Sequence, residues 1–269
     1  MEIMIKGCLI HYEIFGEGKP VLCLHGFPED HEVMVGCLEP IFAEMQGYQR
    51  IYIDLPGLGK SNGNGLVSNA DKMIEIIQSF TKKVLGEQSY LLVSQSYGGY
   101  LSLGLTFLAA DRIDGVFFLC PCTIAERSKR KLPPREVLIK KQILLDNGEQ
   151  TLFSDFMEMA VVATDETWQR YKNEIYPGLA RANEEFVESY QQTGYALSFE
   201  ERFEEIHFDK PSVFLTGRQD DCVGYQDAYR LIDGFTRSIF VILDTAGHNL
   251  QIEQPAMFNQ TVKNWLMNV

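Results

Sequence analysis

Tyr90-Leu-Leu-Val-Ser94-Gln-Ser96-Tyr97-Gly98-Gly99-Tyr100 is the stretch on which the reading turns. Its first four residues are apolar without alternation, the pattern of a strand buried on both faces of a parallel sheet. From Tyr97 onward the pattern is helical, over 97–109. Ser96 therefore stands where a buried strand turns directly into a helix. Such a turn brings the two backbones close together, so the positions two before and two after the serine must be small. Ser94 and Gly98 meet that requirement.

Outward from this turn the same kind of apolar run recurs at 21–24, 51–53, 116–119, 213–215 and 239–243. Helical patterns at 70–85, 225–233 and 255–267 separate most of them, and strands alternating with helices predict an α/β protein with a predominantly parallel sheet. Residues 3–15 alternate well enough for two paired strands, closed by the turn Gly16-Glu17-Gly18. One interval breaks the rhythm. Residues 122–206 contain a Lys- and Arg-rich segment at 127–135, several amphipathic helical stretches and no convincing strand. They read as a helical insertion between a core of 1–121 and 207–269. Phe153, Phe156, Met157, Ala160 and Val161 form an apolar stripe there, which either packs the insertion onto itself, the preferred reading, or lines a substrate cavity.

The chain has 269 residues, with 24 Lys and Arg against 37 Asp and Glu, a net charge of −13, and 45% hydrophobic residues. That composition excludes a disordered protein. An acidic surface repels phosphate backbones and anionic lipids, so the expected partner is a small molecule, with no nucleic acid and no membrane. No apolar stretch approaches about 18 residues, and residues 1–18 lack a basic region ahead of an apolar core. A cytoplasmic location is expected, with Cys8, Cys23, Cys37, Cys120, Cys122 and Cys222 as reduced thiols. Cys120-Pro-Cys122 has neither a second pair nor a nearby histidine in sequence, so no metal is expected.

A serine that keeps its proton is a poor nucleophile, so Ser96 needs a base and the base needs an orienting acid. Asp220, just beyond the run 213–215, is the candidate acid, at a strand's carboxyl end where α/β sheets place their sites. Asp221 is the alternative, but neighbouring side chains cannot both reach one imidazole, and the Gly217-x-x-Asp220-x-x-Val223 spacing favours Asp220. The candidate base is His248, directly after the last strand. His11, His31 and His207 read as exposed or singly satisfied, and His25 as shaping its loop. An oxyanion formed by attack of Ser96 on a carbonyl needs fixed backbone donors; the main-chain N–H groups of Phe27 and Tyr97 are the candidates.

His25-Gly-Phe-Pro28, Asp54-Leu-Pro-Gly-Leu-Gly-Lys-Ser61, Ser94-Gln-Ser96-Tyr-Gly98, Gly217-Arg-Gln-Asp220 and Gly247-His248 occur in this order. Together they resemble the α/β-hydrolase superfamily, with Ser94 standing where that family's nucleophile turn usually has glycine. The resemblance covers the chain outside the insertion. It implies an α/β-hydrolase fold with 122–206 as a helical cap, and a structural role for the Asp54–Ser61 loop. It further implies a serine hydrolase needing no cofactor, with Ser96, Asp220 and His248 as catalytic triad. The expected substrate is a small, partly apolar carboxylic ester. A prolyl-aminopeptidase-like peptidase and a hydrolase of carbon–carbon bonds in dienoic acids use the same triad and remain alternatives, as does a non-catalytic ligand-binding protein on this fold.

Overall fold

A computed structural model describes residues 1–63 and 65–269. Eight strands form the main sheet: β1 Glu2–Ile5, β2 Cys8–Phe15, β3 Lys19–Leu24, β4 Tyr48–Ile53, β5 Tyr90–Gln95, β6 Ile113–Leu119, β7 Ser212–Gly217 and β8 Ser238–Leu243. Their order is β1-β2-β4-β3-β5-β6-β7-β8. β1 pairs with β2, and β2 with β4, antiparallel; all other neighbours run parallel. The sequence patterns follow from these positions. β5 and β7, central and covered on both faces, are buried throughout, whereas β2 alternates buried and half-buried residues. β8 departs from expectation: its apolar run predicts a doubly buried strand, yet it lies at the sheet edge and is mostly half-exposed. Continuity of apolar residues alone does not separate a central strand from an edge strand under loops.

Helices flank the sheet. α1 Glu32–Phe42 packs with the C-terminal helix, Pro255–Leu266, and α2 Ala70–Leu85 packs with α3 Tyr97–Ala109. α2 begins where expected because Asn69 caps it, its side-chain oxygen accepting the Lys72 N–H at 2.9 Å. The helical pattern at 225–233 resolves into one short turn, Gln226–Tyr229, and a 3₁₀ turn, Ile232–Gly234.

Between β6 and β7 the chain leaves the sheet. It forms α4 Gln150–Met159, α5 Asp165–Arg170, α6 Tyr176–Arg181 and α7 Glu184–Thr193, with a π-helical turn at Tyr171–Ile175. The basic segment gives only a single 3₁₀ turn, Arg127–Lys129. The expectation of no strand here needs correcting, since Ile139–Lys140 and Val162–Ala163 pair in a two-residue parallel ladder. Such short strands lack the length to show period-two alternation. The stripe on α4 packs inward, with Phe153 and Phe156 against Trp168, and Phe156 against Tyr171.

Candidate active site

β5 ends at Gln95 and α3 begins at Tyr97, leaving Ser96 alone at the junction with φ 52° and ψ −118°. A residue with a Cβ adopts such a conformation only when its surroundings hold it there. The Ser96 N–H donates to the Leu119 carbonyl at 3.0 Å, and its own carbonyl accepts from Gly99, Tyr100 and Cys122 at 2.9, 3.2 and 2.9 Å. These bonds tie the turn both to its own helix and to the end of β6. A Cβ at position 98 would stand 2.3 Å from the Leu24 carbonyl oxygen, so glycine is required. Ser94 fits where glycine is usual because its hydroxyl is fully buried, 3.4 Å from the Phe117 carbonyl.

The structure brings Ser96, His248 and Asp220 together. Ser96 Oγ lies 2.9 Å from His248 Nε2, and His248 Nδ1 lies 2.9 Å from Asp220 Oδ2. A carboxylate only accepts, so Nδ1 carries the proton and Nε2 is left to receive one from the hydroxyl. Asp220 Oδ1 also accepts the N–H groups of Cys222 and Val223 at 2.9 and 3.0 Å, which fixes the carboxylate plane. Through those two N–H groups Asp220 also closes its own turn, while Asp221 contributes its carbonyl to Arg127. Burial opposes ionisation of both partners. In Asp220 it is outweighed by the His248 charge and the N–H donors, which hold the carboxyl below its ordinary range. In His248 it is outweighed by Asp220, which raises the imidazole's basicity.

Among the described residues, the N–H groups of Phe27 and Tyr97 donate to no other group. Phe27 lines the cavity beside Ser96, and Tyr97, first residue of α3, has no partner in its own helix. Glycine at position 26 gives room for this approach: a Cβ there would crowd Gln95 Oε1 at 2.2 Å and Ser96 Cβ at 3.0 Å. The rings of both donors have a further part that their spacing did not suggest. Phe27 stacks on Tyr190 of α7, and Tyr97 Oη lies 2.8 Å from Tyr190 Oη and donates to the Tyr195 carbonyl at 3.0 Å. The two segments bearing Phe27 and Tyr97 therefore also seat the residues between β6 and β7.

A cavity of about 570 Å³ opens over Ser96 and His248. Phe27, Met159, Ile175, Leu179, Tyr195 and Val223 give it apolar walls. Three buried polar residues near it carry no sequence signal of their own. Among the described residues, Gln95 has both amide atoms without partners, and Glu29 one carboxyl oxygen. Burial pushes the Glu29 carboxyl up to about 7 against the opposing charge of His248. Glu253, outside the cavity, accepts the N–H groups of Gly247, Val161 and Val162.

His25 shapes its loop as a neutral ring, accepting the Leu55 N–H at Nε2 with Nδ1 2.7 Å from the Gly26 carbonyl. His31 is not a surface residue. It is buried, with its N–H and Nδ1 on Asp54 Oδ1 at 2.9 and 2.7 Å. Asp54 also receives the Lys60 N–H, and Ser61 Oγ donates back to the Asp54 carbonyl, closing the 54–61 loop. Ligand atoms of Cys120, Asp220 and His248 lie within 4.8 Å of one another, as do those of His11, Glu13 and His31, and of Asp30, His31 and Asp54. In the first group both imidazole nitrogens are engaged, so a bound ion would break the bonds that orient the ring.

A solved α/β superfamily hydrolase from Oenococcus oeni superposes with a TM-score of 0.92 at 31% identity, covering 100% of this chain and 98% of that one. Over 94% of this chain and 98% of its own length, the pimeloyl-[acyl-carrier protein] methyl ester esterase of Aeromonas salmonicida is 22% identical. A 2-hydroxy-6-oxononadienedioate/2-hydroxy-6-oxononatrienedioate hydrolase of Paraburkholderia phymatum is 24% identical over 96% of this chain and 90% of its own. Among the described residues no helix is long and apolar enough to cross a membrane. The family described as alpha/beta hydrolase fold matches residues 19–255, and the chain belongs to the α/β-hydrolase superfamily, with esterase and carbon–carbon hydrolase relatives.

Proposed function

We propose that this hydrolase cleaves a small, partly apolar carboxylic ester through an acyl-enzyme on Ser96, with residues 122–206 as the cap over its site. The observation that carries the reading is the continuous Ser96–His248–Asp220 hydrogen-bond chain at the floor of an apolar cavity. Ser96 Oγ attacks the ester carbonyl carbon as its proton passes to His248 Nε2. The oxyanion meets the N–H groups of Phe27 and Tyr97, and collapse of the tetrahedral adduct expels the alcohol, which takes the proton from His248. Water then repeats the sequence on the acyl-enzyme and releases the acid.

The supply of charge in the cavity wall favours esters over the dienoic acids of the carbon–carbon hydrolase relatives. A dienoate carboxylate needs a guanidinium whose paired N–H groups face the cavity, so what counts is where those groups are spent. The cations in the wall are Arg127 and Arg130. Arg130 donates to the carbonyls of Ile124, Cys222 and Ala125, and Arg127 to those of Cys222 and Asp221. An aminopeptidase would want cap carboxylates free at the site: Glu184, Glu185 and Glu188 are exposed on α7, outside the cavity wall, and Glu126, which lines it, is exposed and paired with Lys129 at 2.7 Å.

A fluorophosphonate probe should label the wild type and not Ser96→Ala, with both folded. Loss of labelling in a Ser96→Ala variant that keeps its melting temperature supports the nucleophile; equal labelling removes it, and no labelling of the wild type favours a binding protein. On a panel, short and medium acyl p-nitrophenyl esters should outrun proline anilides and dienoates. A kcat/KM at least about tenfold higher on either of those, roughly 1.4 kcal/mol of transition-state binding, would overturn the ester assignment and leave the serine mechanism standing.

A further inference from the structure

His248 sits on the loop after β8, and three contacts brace that loop just before the ring. The Ala246 carbonyl accepts the Gln219 N–H at 2.9 Å, which ties the loop to the segment bearing Asp220. Cys120 Sγ lies 3.6 Å from the Gly247 carbonyl. The third brace is different, because it reaches out of the sheet. Glu253 Oε2 accepts the Gly247 N–H at 2.6 Å, and Oε1 of the same carboxylate accepts the N–H groups of Val161 and Val162 at 2.7 and 3.2 Å. The Val161 carbonyl in turn receives the N–H groups of Leu138 and Ile139 at 2.9 and 3.1 Å. A run of hydrogen bonds thus passes from the exposed 138–139 segment, through one buried side chain, to the residue before His248.

From this geometry we infer that Glu253 is a positioning residue, fastening the Val161–Val162 backbone to Gly247 so that the seating of residues 122–206 sets the place of the His248 ring. The inference rests on the reading of His248 as the base. Chemistry supports the role. Three N–H donors around one buried carboxylate form a site that only an acceptor-rich group satisfies, and each N–H left unpaired there is destabilising. Burial, the largest effect, raises this carboxyl above its ordinary range, and the three N–H donors oppose that rise by favouring the ionised form. The contact is tight as well as polar: a Cβ on Gly247 would meet the Val161 side chain at 2.7 Å.

Glu253→Gln tests this with little change of shape. A glutamine that keeps Oε1 on Val161 and Val162 turns its NH₂ toward the Gly247 N–H, donor against donor, and frees the loop on the histidine side. In the full-length variant, kcat on a p-nitrophenyl butyrate should fall about tenfold or more while KM changes less than about threefold. The downfield Nδ1 proton of His248 should shift or broaden in the NMR spectrum, although Glu253 does not touch that ring. Unchanged kcat and an unmoved proton in a folded variant would overturn the inference, as would a rate loss that vanishes on cooling in step with the unfolded fraction. The proton readout needs no turnover, so it separates failure of this inference from failure of the ester reading. Wild-type amide exchange decides the matter even if the variant does not fold. Gly247, Val161 and Val162 should exchange as one unit, and Val161 and Val162 exchanging about a hundredfold faster than Gly247 would show that nothing is fastened.

Discussion

The cavity wall has two parts, the strand ends that we read as its floor and the segment 122–206 that we propose as its roof, and they are built by different means. On the floor, Phe27, Ser96, Val223 and His248 each follow the carboxyl end of a strand, and their positions are set by main-chain geometry and buried hydrogen bonds. On the roof, Met159, Tyr171, Ile175, Leu179 and Tyr195 project from short helices and turns seated by ring packing, Phe156 on Trp168 and Tyr171 below, Phe27 and Tyr97 on Tyr190 and Tyr195 beside the nucleophile. The sheet is one rigid framework, so its strand ends cannot shift singly. Side chains on short helices can be exchanged with only local repacking. The floor thus suits chemistry and the roof suits selection, and substitutions in the two should fail differently, by rate on the floor and by substrate profile on the roof.

The largest effect is expected on the floor, from two adjacent aspartates. In Asp220→Asn the amide at the orienting position can donate to Nδ1 and so favour the wrong imidazole tautomer; kcat should fall about 10³- to 10⁴-fold. Among the described residues Asp221 makes no side-chain hydrogen bond, and Asp221→Asn should stay within about threefold of wild type. Steady-state kinetics on both folded variants measures the ratio. A larger loss from Asp221→Asn would remove Asp220 from its proposed role.

On the roof a change of volume should alter choice rather than rate. Leu179→Trp adds bulk to an apolar wall opposite the floor groups. The ratio of kcat/KM for octanoyl over acetyl p-nitrophenyl esters should drop about tenfold, with the acetyl ester within about threefold of wild type. If both esters slow equally, Leu179 bears on the floor's geometry and the division between floor and roof is wrong at that point.

The same division explains what could be read from the residues alone. Strand-end positions announce themselves: a small residue two places either side of Ser96 is required by the close approach of strand and helix, and an acid or a histidine just beyond an apolar run stands where parallel strands end. Ser94 and Gly98 were legible for the first reason, Asp220 and His248 for the second, and α2 because its apolar spacing and its Asn69 cap agree, whereas α3, buried over nearly its whole length, shows no such one-sided spacing. Helical spacing on the roof marks a helix but not where it is seated. The stripe on α4 identified Phe153 and Phe156, which pack inward, and passed over Met159, which reaches the cavity. Tyr171 and Ile175 lie in a π-turn, where spacing arguments do not hold. Glu29, Gln95, His31 and Glu253 were silent for another reason: each acts through partners distant in sequence, and a lone polar residue looks the same whether its partner is water or a buried backbone amide.

The smallest expected effect on turnover lies at Glu29, on the floor, and sharpens the comparison because it acts through charge alone. Its carboxyl is buried beside the cavity, pushed up to about 7 by burial, and one oxygen has no partner among the described residues. When ionised it favours the protonated form of His248, so it helps hold the imidazole's basicity up. Glu29→Gln removes that charge and keeps the shape. The imidazole then stays neutral to lower pH, and the acid limb of kcat/KM should move to lower pH while the plateau changes less than about fivefold. The same carboxyl makes a statement about stability. A folded-state value of about 7 against the ordinary 4.5 means the folded protein resists an ionisation that the unfolded chain accepts. Wild type therefore loses stability, relative to Glu29→Gln, as pH rises from about 4.5 to about 7, by an amount of order 3 kcal/mol at most. Urea unfolding at pH 4.5 and pH 8 measures it. The variant should gain on wild type at the higher pH; equal differences at both, together with superimposable rate profiles, would show that Glu29 does not titrate in this range and that the floor works without it.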